Sequence, residues 1–200
     1  MIDVHTHKPP LKTDGIAIIS ADLRDGFKPE AGRLYSIGIH PWYAGEELMP
    51  LVRKHAQEPE VVAIGETGID KLKAASADQL NLQWNLFKEH IILSEELGKP
   101  LIIHCVKAWD ELLSLHKKMK PKQKWIVHGF RGNEILAEQL LNAGIYLSFG
   151  ETFNPKALKK AWDCGHLYAE TDDSSCDISD IYQLIAKALG IAPEDINLKL

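Results

Sequence analysis

Several features that mark other protein classes are scarce in this chain of 200 residues. It has three cysteines, Cys105, Cys164 and Cys176, an odd number without the paired spacing of a zinc motif or a disulfide framework. They are predicted to be reduced thiols, as is usual inside cells. No apolar run approaches the length of a membrane span, and no apolar leader precedes the first motif. These absences predict a cytoplasmic protein without membrane contact.

The chain also lacks an excess of basic residues, since 23 Lys and Arg stand against 28 Asp and Glu. The resulting net charge of -5 argues against a protein that coats long nucleic acid through a basic surface, although a local cationic cleft remains compatible with it. Hydrophobic residues make up 45% of the chain, an ordinary globular composition. No repeat, linker or low-complexity segment is evident, so we predict one domain over residues 1–200.

Short apolar runs alternate with amphipathic segments along most of the chain. Eight runs are predicted strands: Met1–His5, Gly15–Ser20, Leu34–Gly38, Val61–Gly65, Leu101–His104, Trp125–His128, Ile145–Phe149 and Leu167–Glu170. Six segments are predicted helices: Gly45–Gln57, Ser76–Leu97, Trp109–Met119, Asn133–Asn142, Pro155–Asp163 and Ile178–Leu189. Most of the runs are apolar throughout, which is typical of parallel strands that are buried on both faces.

Eight buried parallel strands predict an α/β fold of the TIM-type (β/α)8 barrel, but such a barrel usually takes about 250 residues. The shortfall lies in Lys8–Asp14 and Ala21–Arg33, which are too short and too rich in Pro and Gly for full crossover helices. We therefore predict a barrel whose first two outer helices are missing or vestigial. An open doubly wound sheet is the competing fold, but His5 and His7 stand where its Gly-rich phosphate loop would be.

Residues that can bind metals recur at the predicted carboxyl ends of these strands. His5 and His7 share one face of the first strand, because alternate strand residues do. The others in this class are His40, Glu66, His104, His128 and Asp172. Each alone is more simply explained as a polar residue that caps a strand. Together they predict a metal site, since barrel active sites form at the carboxyl ends of the strands. Four further histidines are assigned no function: His55, His90, His116 and His166.

The motifs around these residues resemble those of the TatD family of metal-dependent hydrolases, within the amidohydrolase-like barrels. In chain order they are DVHTH (3–7), IGIHPW (37–42), IGETGID (64–70), KPLIIHC (99–105), VHGF (127–130) and AETDDS (169–174). The resemblance covers the chain to about residue 196. It implies a barrel with one or two divalent cations, and phosphodiester cleavage, often of DNA. Lys8 and Asp173-Ser174 depart from the family pattern at positions where substrate would be selected.

The candidate ligands suit a two-metal site. Glu66 is the predicted bridge, with His5, His7 and Asp172 on one ion and His104 and His128 on the other. Two ions about 3.5–4 Å apart would lower the pKa of a bridging water. We expect zinc, manganese or magnesium, and imidazole-rich coordination favours the first two. Asp172 and Glu66 are the predicted catalytic residues, with Asp172 accepting the proton of the water. The alternative is that Asp172 and Glu66 only bind the metal, and that the metal alone activates the water.

Cationic and aromatic side chains follow the predicted ligands. Lys107 and Arg131, together with His40, are predicted to contact a phosphodiester substrate such as a DNA end, because Arg and Lys bind phosphate oxygens. Aromatic residues in the same loops could stack bases, or could simply cover the barrel rim: Trp42, Tyr43, Trp109, Phe130, Phe149 and Phe153. Alternative functions are an amidohydrolase or lactonase acting on a small cyclic substrate, and a non-catalytic metal-binding protein.

The second predicted strand poses a packing problem, because residues 16–19 are apolar on both faces and no helix of ordinary length flanks them. Its cover is predicted to come from local apolar residues or from a second copy of the chain in a homodimer. The local residues in question are Leu11, Leu23, Phe27 and Leu34.

Overall fold

A computed structural model describes residues 1–10, 15–24, 26–45 and 47–199. The strands are β1 Ile2–Thr6, β2 Ile16–Ala21, β3 Leu34–Ile37, β4 Val61–Asp70, β5 Leu101–Val106, β6 Trp125–Val127, β7 Tyr146–Phe149 and β8 Leu167–Ala169. The α-helices are α1 Met49–His55, α2 Ala77–Leu97, α3 Trp109–Met119, α4 Glu134–Asn142, α5 Pro155–Asp163 and α6 Ile178–Leu189. Among the described helices, none combines the length and the apolar composition that crossing a membrane requires.

The eight strands form one sheet in the order β1 to β8, and the registers between neighbours are parallel. The chain after β8 also returns to β1, where Thr6 and Asp172 form an isolated parallel bridge. In that bridge the Asp172 N–H donates to the His5 carbonyl at 3.0 Å, and the His7 N–H donates to the Asp172 carbonyl at 3.2 Å. This strand order and return are those of a (β/α)8 barrel, so the predicted fold class is confirmed.

The chain divides into two compact units. The terminal unit comprises Met1–Ile19 and Val127–Leu200, and the central unit comprises Ser20–Ile126. In the terminal unit, the Tyr182 hydroxyl of α6 accepts from the Ile2 N–H at 2.8 Å and donates to the Ile2 carbonyl at 3.2 Å. In the central unit, α2 packs on β4 and buries Phe87. The prediction of one domain stays a prediction.

Capping residues define the helix ends close to where the sequence predicts them. The Ser76 hydroxyl accepts from the Gln79 N–H at 3.2 Å at the start of α2, and the helix ends at Gly98 in the left-handed conformation with φ of 66°. Asp177 and Asp180 form a capping box at the start of α6. The first helix is shorter than predicted and begins only at Met49, with a proline in its first turn.

The described residues between β1 and β2, and between β2 and β3, contain no α-helix, as predicted. In the central unit, Leu23 is buried, and the Phe27 ring packs edge-on against the Tyr35 ring at a centroid distance of 5.1 Å. Local residues therefore supply part of the cover that the missing helices would give. Leu11 lies outside the described residues. In the terminal unit, Ile16 remains 45% exposed.

Strand β4 is longer than predicted, and this corrects the position of Glu66. Instead of ending at Gly65, the strand continues to Asp70, so Glu66 lies inside it. The extension forms because the segment 67–70 pairs with the segment 103–106 of β5, with Gly68 opposite His104. A Cβ atom on Gly68 would lie 2.0 Å from the His104 carbonyl oxygen, and Gly68 has φ of +143°. The two strands can pair here because glycine has no side chain.

We predict that Gly68→Ala lowers the free energy of unfolding by at least about 3 kcal/mol, since the side chain adds a backbone clash to an unfavourable φ. Gly144→Ala is the matched control. Gly144 also has a positive φ, +87°, but no heavy atom lies within 4 Å of the added Cβ, so its cost should be about 1 kcal/mol. Urea denaturation of both variants measures the difference, and equal losses would contradict the close approach of β4 and β5.

Candidate metal centres and their surroundings

Three of the predicted ligands lie together in the terminal unit. His5 in β1 is fully buried, and its Nε2 lies 3.7 Å from Oδ1 of Asp172. Nε2 of His7 lies 3.5 Å from the same oxygen. His5 in β1 and His7, the first residue after it, lie two residues apart and present their imidazoles to the same carboxylate, which the backbone bridge between Thr6 and Asp172 holds beside them. The structure thus brings His5, His7 and Asp172 into one group whose ligand atoms lie within 4.8 Å of one another.

A second group in the same unit contains His128, Glu170 and Asp172. Nδ1 of His128 lies 3.7 Å from Oε1 of Glu170, and the His5 and His128 rings are 4.4 Å apart. Glu170 is 1% exposed and accepts from the Gly129 N–H at 2.5 Å. Burial by itself would raise the pKa of Glu170, but the neighbouring imidazoles of His128 and His5 lower it on balance. Glu170 is therefore an ionised, buried carboxylate surrounded by imidazoles.

Glu170 is not among the predicted site residues, although the sequence contains a signal for it. Glu170 and Asp172 stand two residues apart, the same spacing as His5 and His7. Glu170 is predicted as the last residue of a buried strand, and of this pair only Asp172 is predicted as a ligand. In the structure β8 ends at Ala169, and the Glu170 side chain faces His128.

A third group lies in the central unit and contains His40, Glu66 and His104. Oε1 of Glu66 lies 2.9 Å from Nδ1 of His104 and 3.2 Å from Nε2 of His40. His40 precedes a short 3-10 helix, Pro41–Tyr43, and its Nδ1 accepts from the Trp42 N–H at 3.2 Å. That hydrogen bond orients the ring so that Nε2 faces Glu66. His40, predicted as a substrate contact, is therefore placed where it could also bind a metal.

Asp70 lies beside this group and is likewise not among the predicted site residues. Its Oδ2 accepts from Nε1 of Trp42 at 2.8 Å and lies 3.4 Å from Nε2 of His104. Its Oδ1 accepts from the Leu72 N–H at 2.9 Å. Burial would raise the pKa of Asp70, but these hydrogen bonds and the nearby His104 lower it on balance. His104 thus presents Nδ1 to Glu66 and Nε2 to Asp70, an arrangement that orients histidines at metal sites.

His90 illustrates a buried histidine with a structural role. It is fully buried, its Nε2 accepts from the Ile39 N–H at 3.1 Å, and its Nδ1 donates to the Leu86 carbonyl at 2.7 Å. Burial lowers the pKa of His90 to about 4, so the ring is neutral. His90 therefore fixes the backbone at Ile39, directly before His40. This role is not evident from the position of His90 within a predicted helix.

The predicted substrate contacts differ in their surroundings. Lys107 and Arg131 are exposed, and neither forms an ion pair with any residue that the structure describes. Phe130 and Phe149 are fully buried and pack on each other at 5.9 Å, so these two aromatics form core rather than rim. Trp42 remains 46% exposed.

Each unit offers a set of donors that fits a divalent cation. Imidazole nitrogens and carboxylate oxygens converge within 4.8 Å, and several of the residues are buried. Such groups are costly to bury unless an opposite charge or a metal compensates them. The mixture of histidine and carboxylate suits zinc, manganese or iron. The fold and these donor sets define a barrel protein with groups of residues that could hold divalent cations.

Comparison with known proteins places the chain in one family. The family model described as TatD related DNase matches residues 30–197, so the chain belongs to the TatD related DNase family. An uncharacterized metal-dependent hydrolase of Buchnera aphidicola subsp. Baizongia pistaciae is 40% identical over 120 residues, which are 58% of this chain and 44% of that relative. The 3'-5' ssDNA/RNA exonuclease TatD of Erwinia tasmaniensis is 32% identical over 114 residues, covering 55% and 43% respectively.

Solved structures support the fold over nearly the whole chain. The crystal structure of YJJV, a TatD homolog from Escherichia coli, has a TM-score of 0.77 at 20% identity and covers 98% of this chain and 92% of its own. A hydrolase TatD family protein from Entamoeba histolytica has a TM-score of 0.75 at 19% identity, with coverages of 97% and 93%. In sequence, however, the chain spans about half the length of the curated relatives it matches.

We predict that the double variant His5→Ala/His7→Ala binds less metal than the wild type, because it removes two imidazoles from the terminal-unit group. Metal content after equilibration with zinc or manganese and desalting, determined by elemental analysis, measures the loss. His55→Ala/His116→Ala serves as the control, since both residues lie outside the three groups. A wild-type metal content in the His5/His7 variant would exclude these residues as ligands.

Proposed function

We propose that the protein is a divalent-metal-dependent phosphodiesterase of the TatD type that cleaves nucleic acid. The observation that carries this proposal is the placement of the Asp172 carboxylate beside the two imidazoles of His5 and His7. Membership of the TatD related DNase family supports the reaction class. Relatives named as 3'-5' ssDNA/RNA exonucleases support a nucleic-acid substrate.

The groups in the two units would each hold one divalent ion. A bound ion supplies a Lewis acid and lowers the pKa of a coordinated water. In the terminal unit His5, His7, His128 and Glu170 provide donors, and in the central unit His40, Glu66 and His104 do so. The use of Glu66 as a bridging ligand, and the number and identity of the ions, stay predictions.

Asp172 is the group best suited to accept a proton in the terminal unit. Its side chain is 27% exposed, so solvent can reach the carboxylate while His5 and His7 lie against it. Glu170, the other carboxylate of this unit's groups, is 1% exposed and already accepts from the Gly129 N–H. A proton acceptor has to be within hydrogen-bond reach of the water that it deprotonates. Accessibility therefore favours Asp172 over Glu170.

The proposed substrate is a phosphodiester, and Lys107 and Arg131 are the proposed phosphate contacts. Both side chains are exposed and lack ion pairs within the described residues, so their charges are available to an anion. An arginine fork can bind two phosphate oxygens at once. An amidohydrolase or lactonase would use the same donors, but a neutral ring would gain little from these cations.

We predict that the wild-type protein hydrolyses single-stranded DNA with manganese and loses this activity in excess EDTA. Asp172→Asn should retain most of the bound metal and lower kcat by about 10²- to 10⁴-fold, the usual contribution of a general base. Asp163→Asn is the control, because Asp163 is an exposed carboxylate that pairs with Lys159 and lies outside the candidate metal groups.

Three outcomes would count against this function. Near wild-type turnover by Asp172→Asn would remove Asp172 from the mechanism. Hydrolysis of a lactone or cyclic amide, without cleavage of DNA, would favour the amidohydrolase alternative. Stoichiometric metal binding without hydrolysis of any of these substrates would favour a metal-binding protein.

We also propose a homodimer contact at the side of the terminal unit where the described residues around β2 include no outer helix. Met1 and Ile16 are 47% and 45% exposed there, and they line a cavity of about 360 Å³ with Pro9 and Pro10. Light scattering after gel filtration is expected to give twice the mass of the chain, and Ile16→Asp is expected to give the monomer mass. A monomer at micromolar concentration rejects the dimer.

A further inference from the structure

Trp42 presents an immobilised aromatic ring beside the central-unit group. Its indole N–H donates to Asp70 at 2.8 Å, and its backbone N–H donates to the His40 ring at 3.2 Å. The His40 ring contacts the indole edge-on at a centroid distance of 4.7 Å, and the His104 ring lies 6.3 Å away. Although its polar atom is satisfied, Trp42 is 46% exposed. The ring is thus fixed in orientation and still open to solvent.

The need of Asp70 for hydrogen bonds does not explain the size of this side chain. Asp70 also accepts from the Leu72 and Lys73 backbone N–H groups at 2.9 and 3.2 Å, and a smaller donor could replace the indole. The ammonium of Lys73 lies over one face of the indole ring, 5.0 Å from its centre. The exposed remainder of the ring and this cation offer complementary surfaces to a nucleotide, which combines an aromatic base and an anionic phosphate.

We propose that Trp42 is a stacking subsite for one unpaired nucleobase of the substrate, and that Asp70 is the positioning residue that holds the indole. Lys73 lies where it can pair with the phosphate of the stacked nucleotide. This inference rests on the proposed nuclease function, because a base is present only if the substrate is a nucleic acid. Stacking uses the π face that every base has, so the subsite is expected to tolerate any base sequence.

The first experiment compares Trp42→Ala with the wild type on single-stranded DNA oligonucleotides that carry one abasic residue, moved through the first three positions from the 3' end. Loss of one base–aromatic stack is expected to raise KM about 5- to 150-fold, with a smaller effect on kcat. In the wild type, the abasic residue should raise KM by a similar factor at one position. In Trp42→Ala the same abasic residue should cause no further loss.

Leu72→Ala is the matched control, since Leu72 is a neighbouring apolar side chain that is 70% exposed. Its KM should stay within about twofold of wild type, because an aliphatic side chain gives no aromatic stack. Trp42→Phe should recover part of the loss, because a smaller aromatic ring can still stack although it lacks the N–H through which Asp70 holds the indole. Recovery by Phe separates stacking from a structural requirement for the indole N–H, which Phe cannot supply.

A binding measurement in EDTA tests the subsite without turnover. Fluorescence anisotropy of a labelled oligonucleotide should show weaker binding to Trp42→Ala than to wild type, with Trp42→Phe between them. Asp70→Ala should weaken binding in the same assay. It should also make the fluorescence of Trp42 more accessible to quenching by acrylamide. The double variant Asp70→Ala/Trp42→Phe gives the background fluorescence of the other tryptophans.

Equal effects of Trp42→Ala on intact DNA and on every abasic oligonucleotide would overturn the stacking subsite while leaving the nuclease function intact. If the wild type cleaves no DNA, the proposed function fails. The anisotropy assay then still decides whether Trp42 binds a base, and unchanged binding by Trp42→Ala rejects the subsite.

Discussion

A buried carboxylate needs a partner, such as an imidazole, that offsets the cost of removing its charge from water. Such pairs of carboxylate and imidazole lie at the candidate sites of both units. Glu170 in the terminal unit and Glu66 in the central unit are 1% and 4% exposed, and each lies against histidine rings. An isolated buried charge costs several kcal/mol, so such groups persist only with a partner of opposite charge, hydrogen bonds or a metal. The same cost would favour a cation at these clusters, because a divalent ion would neutralise the carboxylates and use the imidazole lone pairs.

The geometry of the central-unit group depends on a glycine, Gly68, which has no side chain. Gly68 lies opposite His104 in the pairing of β4 with β5, and a Cβ there would collide with the His104 backbone. Because the strands can approach, β4 runs on to Asp70, and the two nitrogens of the His104 ring face Glu66 and Asp70. Gly68 therefore allows β4 to extend to Asp70. As a result the His104 ring, a candidate ligand, lies between the carboxylates of Glu66 and Asp70.

The described residues between β1 and β2 and between β2 and β3 include no α-helix, and the strand order is kept. The sheet retains all eight strands, and residues such as Leu23 and Phe27 pack locally in the central unit. Barrel strands need apolar cover on their outer face, but the cover does not have to be helical. Each candidate ligand lies on a strand or within three residues of a strand end, so a shorter helix layer leaves their placement unchanged.

Sequence alone determined the strand order, most helix bounds and the set of histidines that the structure gathers into groups. These features follow from local rules: apolar runs, capping residues such as Ser76 and Asp177, and the two-residue alternation that places His5 and His7 on one face. Tertiary structure decided the roles of Glu170, Asp70 and His90. Each of these side chains is defined by partners distant in sequence or by its burial, and the energy of a buried polar group depends on those partners rather than on its own neighbours along the chain.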